Sequence, residues 1–390
     1  MPTVANLTVP DLTVANLTVA DVVRQYGPAY LDKFGKSIPR EHRKVMAMIA
    51  RCRTGELGTV VYRCEHCLKQ HAVPRSCGNR HCPSCQQHKT KAWLVDQTAR
   101  LLPTHYFLLT FTIPASLREF VRSNQRACYS ALFAASSATI RTLAADPKYL
   151  GSSDCGFFGV LHTWGRDLAY HPHVHYVVPG GAVSEDGERW LASAPNFFIP
   201  VKAASAIYRA KFHEELRKAG LLAEIDPKVW SEAWVVHSQA VGDGERSLKY
   251  LAPYVFRVAI TDRRIVAMQD GPDGQGRVTF SYRKSGSHRW RRMTVSAEEF
   301  LRRFLQHVLP CGFQKVRHYG FASAVRRKDY PSIHWMVTLA MGLTYLLRAA
   351  AETITPSRPE FVCQDCGGPV IFFQFIDPFS ISTPPVNDTS

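Results

Sequence analysis

His171-Pro172-His173-Val174-His175-Tyr176-Val177-Val178 sets three imidazoles at alternate positions and follows them with an apolar, β-branched run. Val174, Tyr176, Val177 and Val178 favour a strand. Residues i and i+2 of a strand face the same way, so His173 and His175 would stand side by side, about 7 Å apart along the backbone. Such a pair is half of a divalent-metal site and lacks a third ligand. The competing reading is a surface histidine cluster beside a turn, and the rest of the chain has to decide between the two.

The preceding residues supply a partner. Gly156-Phe157-Phe158-Gly159-Val160-Leu161-His162-Thr163-Trp164 reads as a strand, and a turn around Gly165 to Asp167 returns the chain as a hairpin. That hairpin would set His162 beside His173 and His175. Residues 105–114 form a further strand, rich in aromatic and β-branched side chains and stopped by Pro114, which has no amide to donate. Residues 115–144 and 201–220 read as helices, and 235–241 as a strand containing His237. Residues 278–293 read as a strand pair with a basic face (Arg283, Lys284, Arg289, Arg291, Arg292). Residues 21–51 are helical with a break between Gly35 and Pro39; a short amphipathic helix at 301–309 and a buried helix at 332–353 follow. The class is α+β. Tyr250 and Tyr254 are four apart and would share a face of a helix, although Pro253 starts or bends that helix. Taken alone, this tyrosine pair reads as core packing.

Six of the 11 cysteines fall between Cys52 and Cys85. Cys64-Glu65-His66-Cys67 and Cys82-Pro83-Ser84-Cys85 are C-x2-C knuckles, and two such turns can close a tetrahedral thiolate site around zinc. Cys52, Cys77, His66, His71, His81 and His88 are surplus, as ligands of a second site or as bystanders. Arg51, Arg53, Arg63, Lys69, Arg75, Arg80, Lys89 and Lys91 make the block basic, suited to phosphates. Cys363-Gln364-Asp365-Cys366 is a lone third knuckle, half a site, with Cys311 a distant candidate for a third ligand. A ten-residue near-repeat over 3–22 is expected to be a mobile extension, and the Pro384-Pro385 tail to be disordered.

The chain of 390 residues is long enough for two or three domains. Lys and Arg exceed Asp and Glu by 48 − 32 = 16, which points to a polyanionic partner, nucleic acid first. No stretch approaches the roughly 18 uncharged apolar residues of a membrane span, and the N-terminus lacks a signal-peptide pattern. With no export signal, the crowded cysteines read as metal ligands rather than disulfides, and a cytoplasmic protein without membrane contact is expected.

Four motifs stand in one order: Arg75-Ser76-Cys77-Gly78-Asn79-Arg80-His81-Cys82-Pro83-Ser84-Cys85, Phe111-Thr112-Ile113-Pro114, His171-Pro172-His173-Val174-His175, and Tyr250-Leu251-Ala252-Pro253-Tyr254, followed by Arg317-His318-Tyr319-Gly320. Together they resemble the rolling-circle transposases of the HUH endonuclease superfamily, specifically the insertion sequence 91 family, over about residues 23 to 330. The resemblance implies an HUH-type antiparallel sheet core flanked by helices and preceded by a small cysteine-rich zinc-binding domain. It implies an extension at 1–22, a helical and zinc-binding DNA-binding domain at 23–100, the core at 103–330 and a C-terminal helix, knuckle and tail at 331–390.

The same resemblance implies that His173 and His175 hold Mg²⁺ or Mn²⁺ and that Tyr250 and Tyr254 are the nucleophiles, forming a 5′-phosphotyrosine. The third metal ligand is first His162, across the hairpin, then His171, then His237. Cys64, Cys67, Cys82, Cys85 and Cys77 are the structural zinc ligands, and Arg75, Arg80, Lys249 and Arg257 face DNA. The partners implied are single-stranded element ends and target DNA, and an oligomer is compatible with this. A plasmid replication initiator or relaxase would share the chemistry, but the cysteine block favours the transposase. A non-catalytic zinc-dependent DNA-binding protein leaves the histidine and tyrosine pairs unexplained, and a metal hydrolase leaves the tyrosines idle.

Overall fold

A computed structural model describes residues 17–242, 248, 259–272, 274–283, 287, 289–342 and 362–378, without the side chains of 86–92. Lys249, Tyr250, Tyr254 and Arg257 lie outside the described residues, as do most of the N-terminal repeat and the Pro384-Pro385 tail. The described strands are β1 (Thr59–Cys64), β2 (Gln70–Pro74), β3 (Tyr106–Thr112), β4 (Phe157–Trp164), β5 (Tyr170–Pro179), β6 (Gly181–Val183), β7 (Trp190–Ala192), β8 (Val236–Gly242), β9 (Ile265–Asp270), β10 (Gly276–Arg283), β11 (Trp290–Ser296), β12 (Val316–Tyr319) and β13 (Val370–Ile376). The helices include α1 (Val19–Phe34), α2 (Arg40–Ala50), α3 (Pro83–Thr98), α4 (Arg118–Ser123), α5 (Gln125–Ala145) and α6 (Val201–Lys218), with two more at Ala297–Leu305 and Tyr330–Met341. The sheets are antiparallel and flanked by helices, so the α+β expectation is met. No helix among the described residues is long and apolar enough to cross a membrane.

Two compact units result, one from residues of 87–259 and 309–354, the other from residues of 1–86, 260–308 and 355–390. The first is organised by a five-stranded sheet in the order β12-β4-β5-β3-β8. The stretch 171–178 lies in β5, the central strand. Because successive side chains alternate between faces, Val174, Tyr176 and Val178 of β5, with Phe107, Leu109 and Phe111 of β3, enter the main core against α5 and α6. Tyr129, Phe133, Tyr208 and Phe212 close that core from the helices. The opposite face carries the histidines, and Phe158, Val160, Val177 and Leu248 form a second, smaller cluster there, flanked by Trp93 and Leu94 of α3.

Gly159 is required in β4: the Tyr176 ring of β5 crosses the strand at this point and would overlap any Cβ. The Tyr176 hydroxyl is in turn 2.7 Å from Ser136 Oγ on α5, tying the central strand to the helix layer. The single helix expected over 115–144 is interrupted. A 3₁₀ turn, α4 and α5 follow one another, with Asn124 leaving helical geometry and donating its side-chain amide to the Phe120 carbonyl, a local bond that competes with the helix ladder. Of the expected buried helix at 332–353, residues 343–353 lie outside the described residues, and the described part is not buried nearly all round as expected. The described helix spans Tyr330–Met341, stops at Gly342 in the left-handed region, and leaves Trp335 63% and Leu339 66% exposed. Only Ile333, Val337 and Thr338 of that helix are buried.

In the other unit, α1 and α2 pack as the break at 35–39 anticipated, and Thr18 makes a capping box with Asp21. The last residues of the N-terminal repeat thus form the first turn of α1, with Val19 and Val22 buried, instead of belonging to a mobile extension. The β9-β10-β11 sheet packs through Phe280 against Phe300 of the helix Ala297–Leu305, which also contacts α1. Asp262 bonds both the Val19 amide at the start of α1 and the Ser84 hydroxyl at the start of α3. The strand pair at 276–296 exposes Arg283, Arg289, Arg291 and Arg292, with the Arg283 guanidinium 4.5 Å from the centre of the Trp290 ring.

Candidate metal centres

His173 pairs with His162 across the β4–β5 ladder, and His175 lies one residue pair along on the same face. A register shift follows between His162 and Trp164, at the end of the hairpin. The three rings approach to centroid distances of 5.2 Å (His162–His173), 4.7 Å (His162–His175) and 4.8 Å (His173–His175). One ring nitrogen of each lies within 4.8 Å of the other two, a spacing that suits three nitrogens on one ion. All three residues are buried. Burial, then the neighbouring imidazoles, hold His162 and His173 well below the usual imidazole range; burial and then His171 bring His175 down to about 4. At neutral pH all three are therefore uncharged, the state that binds metal.

Hydrogen bonds orient two of the rings. His173 Nδ1 lies 2.6 Å from the His171 carbonyl oxygen, which can only accept, so Nδ1 carries the proton and Nε2 keeps its lone pair. His175 Nδ1 lies 2.8 Å from the Thr110 hydroxyl, and Thr110 is the cross-strand partner of His175 on β3. Such outer contacts fix tautomer and ring plane in metal-binding histidines. The His162 ring stacks on Trp164 at 5.3 Å, and Lys315 Nζ sits 5.2 Å from the centre of the same Trp164 ring. Lys315 helps to lower His162, and Arg118, at the start of α4, helps to lower His171 and His173. The Arg118 Nε is buried without a hydrogen bond.

The other candidates for the third position fall elsewhere. The His171 ring lies tilted beside that of His173, at 5.0 Å between centroids, but is not among the three converging rings. His237 is exposed on β8, opposite Thr110 and therefore two strands from His175.

The cysteines form two clusters, grouped differently from the expectation. Cys52, Cys77, Cys82 and Cys85 converge, as do Cys64, Cys67, Cys363 and Cys366, each set with sulfurs within 4.8 Å of one another. The expectation that the knuckles at 64–67 and 82–85 close a single site is thereby corrected. The reason is the β1–β2 hairpin between them. Cys64 and Cys67 occupy its turn, whereas Cys52 and Cys77 flank its open end, where Thr59 pairs with Pro74. Six residues of strand separate the ends by about 17 Å, too far for one ion. In the first cluster, Cys85 Sγ is 3.4 Å from Cys52 Sγ and 3.5 Å from Cys77 Sγ. Hydrogen bonding from Cys77 lowers the Cys52 thiol to about 7. Cys311 belongs to neither cluster; it is exposed, and its carbonyl accepts from Arg126.

Arg75 and Arg80 are exposed beside the first cluster, with the Arg75 guanidinium 5.2 Å from the centre of the Phe375 ring. Thr110 and Arg118 were not singled out in the sequence; Lys315 stands there only as one of several positive charges, and Cys52 and Cys77 only as surplus ligands of a second site. The strand periodicity of 105–112 could have flagged Thr110, which is in phase with the histidine face once the strands are paired. Nothing local links Arg118 or Lys315 to the histidines.

A histidine cluster on the central strands of an antiparallel sheet, joined in one chain to two cysteine clusters, defines a class of α+β proteins with several candidate metal centres. Comparison with known proteins narrows this. Residues 156–329 match the family described as "Putative transposase", and residues 22–113 match "Transposase zinc-binding domain". "Putative transposase y4qJ" of Sinorhizobium fredii is 42% identical over 322 residues, covering 77% of this chain and 79% of that one. "Transposase for insertion sequence element IS801" of Pseudomonas savastanoi pv. phaseolicola is 26% identical over 365 residues, 85% of this chain and 83% of that one. No solved structure matches the chain. The chain belongs to the insertion sequence 91 family of transposases. Its substrate is accordingly DNA, and its zinc-binding domain carries the first cysteine cluster, a donor set that suits zinc.

Proposed function

We propose that this transposase cleaves and rejoins single-stranded DNA at the ends of its element through a 5′-phosphotyrosine intermediate, in the manner of rolling-circle HUH enzymes. The observation that carries the reading is the convergence of three neutral imidazoles, His162 of β4 and His173 and His175 of the central strand β5, on one face of the sheet. These residues would hold Mg²⁺ or Mn²⁺, which when bound polarises the scissile phosphate and neutralises charge developing on it.

Tyr250 and Tyr254 are the nucleophiles in this reading. Leu248 is buried in the cluster with Val160 and Val177, and Val160 is the cross-strand partner of His175. The tyrosine oxygen forms a bond to phosphorus while the bond from phosphorus to the 3′-oxygen breaks. The phenol gives up its proton, the departing oxygen takes one, and a free 3′-OH remains beside the tyrosine-linked 5′-phosphate. Attack by a 3′-OH on that linkage reverses the step and joins strands without ATP. An ordinary phenol has a pKa of about 10, so the reaction needs positive charge nearby, and Lys315 and Arg118 are close enough to act electrostatically on His162 and His173. Two nucleophiles permit successive cleavages at the two element ends.

The test is a denaturation-resistant protein–DNA adduct on single-stranded element-end DNA with Mn²⁺. It is expected with the wild type and absent in the Tyr250→Phe/Tyr254→Phe double variant. An adduct that survives the double change overturns the nucleophile assignment.

A further inference from the structure

We propose that Cys64, Cys67, Cys363 and Cys366 form a second zinc site, distinct from the Cys52–Cys85 cluster, that fastens the C-terminal strand β13 to the N-terminal hairpin. The sulfurs of Cys64 and Cys366 lie 3.5 Å apart and those of Cys67 and Cys363 3.6 Å apart, although the paired residues are 302 and 296 positions distant in sequence. A tetrahedral zinc with bonds of about 2.3 Å places its sulfurs about 3.8 Å from one another, close to these separations.

The two knuckles are built alike. The Cys64 amide bonds the Lys69 carbonyl at 2.9 Å, and the Cys363 amide bonds the Gly368 carbonyl at 2.7 Å, the same five-residue span. The residue four positions after the first cysteine is left-handed in both, Leu68 at φ 58° and Gly367 at φ 72°. Leu68 holds a conformation that branched and bulky side chains avoid, as a turn shaped to present two sulfurs requires. The amides of His66 and Cys67 point at Cys64 Sγ, at 3.4 and 3.5 Å; donors so placed stabilise a thiolate ligand.

The knuckles also meet directly. The Glu65 amide bonds the Pro369 carbonyl at 3.0 Å, Lys69 pairs with Asp365 at 2.8 Å, and a Cβ on Gly368 would press on the His66 ring.

Energetics make the ion necessary. β13, β1 and β2 form a three-stranded sheet in which only Val61 and Cys64 are buried. β13 leaves Ile371, Phe372, Phe373 and Phe375 exposed, with Arg63 and Arg75 against Phe373 and Phe375. A sheet with so little buried apolar surface does not hold itself together, whereas a structural zinc supplies folding free energy outright.

The test counts metal in the full-length protein, in a His173→Ala/His175→Ala background so that the imidazole cluster adds nothing. Elemental analysis is expected to give two zinc ions per chain, one after Cys363→Ser/Cys366→Ser, and two in Cys366→His, which keeps four donors. A cobalt titration of the same metal-free background, which leaves all the thiolates in place, covers the case in which the serine variant does not fold. Sulfur-to-cobalt charge-transfer absorption should rise to two equivalents. One zinc per chain in the parent, two retained in the serine variant, or saturation at one cobalt overturns the proposal.

Discussion

His162 and His173 face one another across the β4–β5 pair, their ring centroids 5.2 Å apart. A metal held there draws on two strands of one hairpin, so each ligand's removal should cost more than a supporting contact does. For His162→Ala, Mn²⁺ affinity should fall by more than the roughly 10- to 100-fold that loss of an outer hydrogen-bond partner typically causes. His237→Ala, two strands from His175, should leave it unchanged. Free Mn²⁺ measured by electron paramagnetic resonance reads both. Equal affinities for the two variants would remove His162 from the site.

Thr110 is the outer partner of His175, at 2.8 Å from Nδ1. Valine keeps its shape and its strand preference but loses the hydroxyl. Thr110→Val is expected to weaken Mn²⁺ binding by about 10- to 100-fold, while Thr110→Ser retains most of it. The thermal unfolding of the two variants should differ little, which separates ring orientation from damage to the sheet.

What the sequence made legible follows from the range over which each signal acts. The hairpin and the phase of its histidines are local: a period of two, a turn at Gly165 and a proline stop at 114 determine which side chains share a face. Cysteine grouping is not local. Spacing identifies each knuckle as a pair of ligands but not the other pair it meets, and here the β1–β2 hairpin sends Cys64 and Cys67 toward Cys363 and Cys366. The missing clue was at hand in Val370-Ile371-Phe372-Phe373-Gln374-Phe375-Ile376, an evident strand directly after the last knuckle, which pairs with β1. Arg118 and Lys315 reach the histidines only through tertiary packing, and no periodicity marks them.

Gly159 carries a stability prediction. Alanine there must displace the Tyr176 ring, which the Ser136 hydroxyl holds from the helix side at 2.7 Å. Overpacking of this kind costs about 1–3 kcal/mol, and it falls on the strand that bears the histidines. Gly159→Ala should lower the midpoint of urea unfolding of the five-stranded unit and weaken Mn²⁺ binding together. An unchanged midpoint would mean that the ring yields freely.

Zinc removal should act unevenly. The β1-β2-β13 sheet has little core of its own, whereas β3, β4 and β5 are sandwiched in an extensive one. Hydrogen exchange after treatment with a chelator is expected to show loss of protection in 59–64, 70–74 and 370–376 while 106–112 and 170–179 stay protected. Uniform loss across both sets would show that the units do not unfold separately.

Arg118 and Lys315 give the last prediction. Both lie close enough to the imidazoles to lower them, and Lys315 rests against Trp164, the ring on which His162 stacks. If each meets one phosphate of a bound single strand, each releases counterions on binding, and the salt slope should fall by about 0.7 per cation removed. Lys315→Ala and Arg118→Ala should therefore bind single-stranded DNA more weakly at low salt and converge on the wild type at high salt. Lys315→Arg should keep the slope, because it keeps the charge. Adduct formation should slow further than affinity alone accounts for, since the same charges would favour the phenolate and the crowded phosphate of the transition state. A lower affinity with an unchanged slope would point instead to a packing role through Trp164.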